Sequence, residues 1–276
     1  MPRWWLFRLG PPRGHFPGSQ PPGITLLLTK NVQTRSGSRN FGGRRVDTPR
    51  VPRKPRNIVP GLPNHLVTRG NNRRRLFSYP RDYRRFVRLL IKAHEAQRCK
   101  INALALLSNH VHLLQTPPSV EAASKCVKSF SQRYAQIRND QRSSSGKLFE
   151  QRFYSKPVRD DAQLAMTVCY IDANPVMGGL VSNAIEYPYS TYAIHAGEPE
   201  RCALPLDAWT PSPWYLGLGR SATAREAAYR ECFAVYLESK QWPEHQSEFA
   251  HIEELSFRPY TRRLLRPDGT RASDGE

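Results

Sequence analysis

The sequence predicts an α+β fold: a central antiparallel sheet with helices packed on it, in a ferredoxin-like split βαβ arrangement. Three observations point there. Lys100 to Pro117, KINALALLSNHVHLLQTP, reads as two short apolar strands joined at Ser108-Asn109. Strand-like text precedes this hairpin at 65–68 and follows it at 148–158. Amphipathic helical text at 81–97 and 119–139 separates these strands, so helices alternate with strands while the hairpin makes the pairing antiparallel.

Residues 1–50 stand apart from that pattern. They hold nine Arg/Lys and one acid, Asp47, with frequent Pro and Gly and no apolar period. Such a segment buries too little surface to offset its chain entropy, so it is expected to be a disordered basic extension. From Val51 the text changes. His65 to Thr68 is a strand and Gly70-Asn71-Asn72 supplies a turn, ringed by Arg69, Arg73, Arg74 and Arg75. A solvated charge run and a phosphate-contacting loop both fit those four arginines.

The helix at 81–97 carries Asp82 in its first turn, where negative charge suits the helix dipole. Phe86, Leu89, Leu90 and Ala93 make one apolar face. Within the hairpin, residues two apart share a face, so His110 and His112 present two imidazoles together while Val111 and Leu113 turn away. Paired imidazoles form half of a divalent-metal site, although two solvent-facing histidines on an edge strand would look the same. The helix at 119–139 opens on Ser119 as N-cap and carries a core stripe of Val120, Ala123, Val127, Phe130, Tyr134 and Ile137.

Asp160-Asp161 opens a third helix, DDAQLAMTVCYIDAN, which Pro175 is expected to end near Asn174. Leu164, Val168 and Ile171 form its core stripe. Tyr170 and Asn174 lie four apart on a face roughly 100° away, so their polar groups are expected to converge outside the core. A half-buried packing tyrosine is the plain alternative. A further helix at 221–239 has Ala224, Ala227, Ala228, Cys232 and Val235 along one side. The expected domains are the extension 1–50, a main domain 51–195, a helical appendage 196–240 and a polar tail 241–276.

Charge narrows the function. Lys+Arg total 42 against 23 Asp+Glu, a net +19, which implies a polyanionic partner, most simply nucleic acid. No basic amphipathic helix with a bulky apolar face favours a membrane surface instead. The five cysteines form no CxxC, which gives no support to a zinc ribbon or a disulfide framework and fits a reducing cytoplasm. No apolar run is long enough to span a bilayer, and the Ile24–Leu28 run is too short for a signal peptide.

Several ordered blocks resemble one family. LLSNHVHLLQTP resembles the metal-binding strand of the HUH single-tyrosine transposases, and YIDANPVMGGLV their tyrosine helix. PRKPRNIVPGLPNHLVTRGNNRRRLF resembles the opening block and SGKLFEQRFYSKPV the block before the helix. The resemblance is closest to the REP-associated tyrosine transposases of bacteria. It covers 52–195 and extends toward 233 through TPSPWYLGLGRSATAREAAYRECF. Phe149 stands where relatives often have Trp, and Asp172 where they often have Glu.

The resemblance implies that His110 and His112 bind a divalent metal, Mg²⁺ or Mn²⁺, with Asn174 helping to complete the site. It implies Tyr170 as the nucleophile of a transposase that nicks and rejoins hairpin-bearing single-stranded DNA through a 5′-phosphotyrosine. The implied partner is the hairpin of repeated extragenic palindromes, met in the bacterial cytoplasm by a monomer or homodimer. Arg69, Arg73, Arg74 and Arg75 would contact phosphates, and Phe77, Tyr79 or Tyr154 would stack on bases. Two rivals share these features: a non-catalytic DNA-binding regulator on the same fold, and an HUH replication initiator or relaxase. The family's opening block normally follows the initiating Met, and GTG encodes valine internally yet starts bacterial chains. Val51 is therefore expected as the first residue, with a basic arm of formal +8, nine cations less one anion, as the competing reading of 1–50.

Overall fold

Residues 64–69, 100–106, 110–116 and 154–157 become four strands of one sheet. The computed structural model describes residues 56–150 and 152–240. The basic segment 1–50, the expected start at Val51 and the tail 241–276 lie outside the described residues. The strands are β1 (Asn64–Arg69), β2 (Lys100–Leu106), β3 (His110–Thr116) and β4 (Tyr154–Pro157), in the order β2-β3-β1-β4. Every pairing is antiparallel. Helix α1 (Pro80–Gln97) joins β1 to β2, and α2 (Val120–Gln141) joins β3 to β4. Each βαβ unit is thus split by a strand of the other, the ferredoxin-like arrangement the sequence predicts. The fourth strand is shorter than the predicted 148–158. Leu148–Glu150 instead runs against the end of β1, with Asn71 N–H bonded to Leu148 O at 2.8 Å and Glu150 N–H to Arg69 O at 2.9 Å.

One sheet face is covered by α1 and α2. Leu66, Leu104, Leu106, Val111 and Leu113 meet Phe86, Leu90, Val127, Phe130 and Tyr134 there. Asp82 has more than a dipole role. It caps α1 by accepting from the N–H groups of Ser78 and Tyr79, and it pairs at 3.1 Å with Arg138 of α2. Both partners are buried, so the pair locks the two helices together. Ser119 Oγ caps α2 by accepting from Ala122 N–H at 3.0 Å. The α2 stripe is shorter than predicted, because Val120 in the first turn is exposed.

The other face is covered by α3 (Asp161–Met177). Small residues Ala103 and Ala105 on β2 let this helix lie close to the sheet, and Leu114, Val168 and Ile171 fill the space between. The chain then adds α4 (Tyr192–His195), α5 (Pro213–Gly217) and α6 (Ala222–Lys240). The segment 196–240 supplies Trp214, Tyr215, Tyr229, Phe233 and Tyr236 to the same cluster. The buried stripe of α6 is Tyr229, Phe233 and Tyr236, not the predicted alanine side, and Val235 is 65% exposed. Large rings win the buried face because they remove more apolar area from water. Pro175 does not end α3. It sits inside the last turn, beyond which Gly178 N–H still bonds Asn174 O at 2.8 Å. At that position the proline forfeits a single helical hydrogen bond, which the surrounding burial outweighs.

Asp172 ties α3 to the segments at 190–195 and 229. Its fully buried carboxylate accepts from Thr191 Oγ1 at 2.8 Å, His195 Nδ1 at 2.7 Å, Tyr229 OH at 2.6 Å and Ser190 Oγ at 3.3 Å. Thr191 in turn bonds the backbone of Leu104 on β2. Asp172→Ala should therefore lower unfolding stability by about 3–5 kcal/mol, since the donors stay buried without their acceptor. Ser119→Ala, which removes only an exposed cap, should cost about 1 kcal/mol. Urea midpoints of the two variants test this, and equal losses would mean Asp172 is not a hub.

Candidate active site

The β1–β3 register brings the polar residues together. Val67 faces His112, Arg69 faces His110 and His65 faces Leu114. His65, Val67, Arg69, His110 and His112 therefore share the sheet face under α3, while Val111 and Leu113 point to the α1–α2 side as predicted.

Three imidazoles line this face. His112 is fully buried, and its Nδ1 lies 3.0 Å from His65 Nε2. The His65 and His112 rings stack at 5.3 Å between centroids, and the His110 ring meets His112 edge-on at 4.9 Å. His110 Nδ1 lies 2.6 Å from Asn109 Oδ1. An amide oxygen only accepts, so His110 donates through Nδ1 and its Nε2 keeps a lone pair. Burial holds all three rings neutral. It pushes His110 down to about 3, helped by the Arg69 guanidinium, and His65 down to about 3, helped by Lys156 across the ladder. His112 lies well below its ordinary value through burial and then its His110, His65 and Arg69 neighbours.

Tyr170 is brought to this group by α3. Its ring stands edge-on to His112 at 5.3 Å and to His65 at 5.9 Å. Asn174, one turn on, donates through Nδ2 to Tyr170 O at 2.7 Å. The predicted meeting point outside the core is corrected, for Tyr170 is 0% and Asn174 1% exposed. The helix is buried on more than one side, by the sheet and by α5 and α6, so the polar face that its periodicity marks is covered as well.

Among the buried polar atoms with no hydrogen-bond partner are His110 Nε2, His112 Nε2 and Asn174 Oδ1. Neutral imidazole nitrogens and an amide oxygen are donors that suit a divalent cation, and such orphaned atoms are otherwise costly in a core. Among the described residues, no three of His, Cys, Asp and Glu are grouped to hold a metal. The donor types of His110, His112 and Asn174 are those that suit a divalent ion taking its other ligands from water or a phosphate.

The predicted arginines divide. Arg69 sits at the end of β1 with its side chain mostly buried, 3.7 Å from Glu150. Arg73, Arg74 and Arg75 are exposed. Their loop is tied to the turn before His110: Gly70 N–H bonds Asn109 O at 2.8 Å, and Leu76 and Phe77 N–H bond Ser108 O. Glycine is required at position 70, where a Cβ would come within 2.1 Å of Arg74 O. Asn72 and Arg73 take left-handed backbone angles, φ 52° and 57°. Among the predicted stacking residues, Phe77 is core at 1% exposure, Tyr154 is half-buried and Tyr79 is open at 57%.

Sequence reasoning missed His65, Asn109 and His195 as site or hub residues. His65 was legible as strand text, but its partnership with His112 depends on a register across 47 positions. Tyr134, the tyrosine of the α2 core stripe, is structural: it is fully buried and donates to Leu76 O at 2.8 Å.

Residues 59–174 match the family model described as "Transposase IS200 like". A REP-associated tyrosine transposase from Escherichia coli (strain K12) is 28% identical over 105 residues, 37% of this chain and 60% of that relative's length. A solved structure described as a REP-associated tyrosine transposase bound to a REP hairpin aligns with a TM-score of 0.43 at 20% identity, over 59% of this chain and 93% of that one. The resemblance read from the motifs is borne out by the family match and the curated relative. The α+β assignment stands on this chain's own strand order. Among the described residues no helix is long and apolar enough to cross a membrane.

The buried histidines set a pH dependence. Their folded pKa values, about 3 for His65 and His110 and about 4 for the buried His94, lie below the ordinary 6.5. Below that ordinary value the unfolded chain binds protons that the folded chain refuses. Stability is therefore complete near pH 7 and falls as pH drops toward 4, by up to about 1.4 kcal/mol per pH unit for each histidine. Urea denaturation of metal-free protein at pH 7 and pH 5 measures this, and an unchanged midpoint would mean the rings are solvated.

Proposed function

We propose that this chain, whose residues 59–174 resemble the IS200-like transposases, is a metal-dependent transposase. It nicks and rejoins hairpin-bearing single-stranded DNA through a 5′-phosphotyrosine on Tyr170. The observation that carries the reading is one buried cluster in which Tyr170 stands against His112, beside His110, and in which both histidines keep an unpartnered Nε2.

The chemistry follows from these groups. The Tyr170 hydroxyl attacks the scissile phosphorus in line, the bond to the 3′ oxygen breaks, and the phosphate remains as a 5′-phosphotyrosine diester. The hydroxyl loses its proton and the departing 3′ oxygen gains one. Because a phosphodiester is conserved, a second 3′-hydroxyl can attack it, release Tyr170 and join a different strand. A divalent ion, Mg²⁺ or Mn²⁺, held by His110, His112 and Asn174 would polarise the phosphate and stabilise charge on its oxygens. Neutral imidazoles suit that role, because a protonated ring has no lone pair to give. Tyr170 has no solvent exposure, so DNA entry has to displace its cover.

Binding is assigned to the rim. Arg73, Arg74 and Arg75 stand on a loop anchored one residue before His110, where phosphates leading to the site would pass. Tyr79, which is exposed, would stack on an unpaired base. The palindromic hairpin substrate rests on the motif resemblance and on the REP-associated relative. The protein would act in the bacterial cytoplasm as a monomer or homodimer. The burial of Tyr170 favours one rival, a DNA-binding regulator without catalysis, and the nucleophile test separates the two.

Tyr170→Phe should abolish the covalent adduct with hairpin-bearing single-stranded DNA in Mn²⁺ while leaving DNA affinity intact. Tyr134→Phe should keep the adduct, and excess EDTA should remove it from the wild type. An adduct from Tyr170→Phe, or robust cleavage in EDTA, would defeat the mechanism. Replacing Arg73, Arg74 and Arg75 by Ala should flatten the dependence of log affinity on log salt by roughly 0.7 for each phosphate no longer bound. An unchanged slope would make that loop a solvated surface.

A further inference from the structure

We infer that His65 is a positioning residue: it accepts a hydrogen bond from His112 Nδ1–H and so holds the His112 ring with its Nε2 lone pair available to a divalent ion. The inference rests on the proposal that His110 and His112 bind such an ion.

The direction of this hydrogen bond is set by the available donors and acceptors. His65 Nε2 and His112 Nδ1 are 3.0 Å apart, in rings 2% and 0% exposed, so neither can exchange this partner for water. A neutral imidazole carries one N–H and one lone pair, which leaves two arrangements. If His65 donates, His112 must carry its proton on Nε2. That would bury an N–H with no acceptor, since His112 Nε2 has no hydrogen-bond partner. If His112 donates, its Nε2 presents a lone pair, the same state that Asn109 imposes on His110. The two strand histidines then match, each donating through Nδ1 to a fixed acceptor. Metal-binding histidines are commonly oriented by such an outer hydrogen bond. Here the acceptor for one of them is another imidazole, supplied by β1.

His65 is also locked in place. It stacks on His112 with 26° between ring planes and meets the Tyr170 ring edge-on at 5.9 Å. Its backbone is held on both sides, paired with Leu114 of β3 and Lys156 of β4. A rotation of His65 would therefore disturb His112 and Tyr170 together.

The test uses the full chain. Long-range ¹H–¹⁵N correlation spectra of the metal-free wild type should show His112 protonated at Nδ1. Mn²⁺ affinity, read without DNA from the electron-paramagnetic signal of free Mn²⁺, should fall by about 10–100-fold in His65→Phe, which keeps a ring but loses the acceptor. His65→Gln, whose amide oxygen can accept, should recover most of that loss. A His112 protonated at Nε2, a His65→Phe variant that binds Mn²⁺ as wild type does, or a His65→Gln variant as weak as His65→Phe would each overturn the inference. If His65→Phe does not fold, the tautomer and His65→Gln decide the matter: affinity near wild type in His65→Gln supports the role, and a loss of about 10-fold or more there overturns it. A wild type that binds no Mn²⁺ overturns the metal reading itself and this inference with it, an outcome distinct from a wild type that binds and a variant that does not differ.

Discussion

The β1–β3 ladder decides which side chains can meet. Side chains alternate along a strand, so slipping β1 by one residue would turn His65, Val67 and Arg69 toward α1 and α2 and deliver Leu66 to the site. Two features hold the register. Leu66 is 1% exposed among the large apolar residues under α1 and α2, and reversing it would bury histidine and arginine in that cluster. Backbone bonds from Gly70 to Asn109, and from Leu76 and Phe77 to Ser108, then tie the end of β1 to the turn that starts β3. The loop carrying the exposed arginines is part of this same anchor.

The two faces of the sheet are held by different physics. On one, rings and aliphatic chains interlock: Phe86 meets Phe77, Phe130 and Tyr134 edge-on, and the buried Asp82–Arg138 pair joins the helices above. On the other, small residues draw α3 close and polar bonds do the fastening. A lone carboxylate at 0% exposure would be strongly unfavourable, but Asp172 receives four donors, from Ser190, Thr191, His195 and Tyr229. That arrangement fixes α3 and with it Tyr170, two residues before Asp172.

Charge is sorted from inside to outside. The chain carries +19, yet the centre of the site is uncharged, because burial and the nearby Arg69 guanidinium disfavour protonated histidine. The exposed cations Arg73, Arg74 and Arg75 lie outside it, on the loop anchored beside His110. Under the proposed function a polyanion would be attracted to the rim by charge while the inner nitrogens keep their lone pairs, so attraction and coordination would not compete for the same groups.

Local information in the sequence was enough for most of the elements and for which of the candidate residues share a face. Strand alternation put His110 and His112 on one side, helical spacing stacked Tyr170 and Asn174 one turn apart, and Ser119 marked a helix start, because all of these depend on neighbours within about a helical turn. The ordered motifs pointed to the tyrosine transposases for the same reason, being short and contiguous. Tertiary structure decided the rest. That Tyr170 is buried and not exposed, that α6 buries Tyr229 and Phe233 and not its alanines, and that Arg69 turns to Glu150 while Arg73 to Arg75 face water are consequences of which elements cover which. His65 is the clearest case. Its partner lies 47 residues away, and only strand pairing, a property of two segments at once, brings the two ring nitrogens to 3.0 Å.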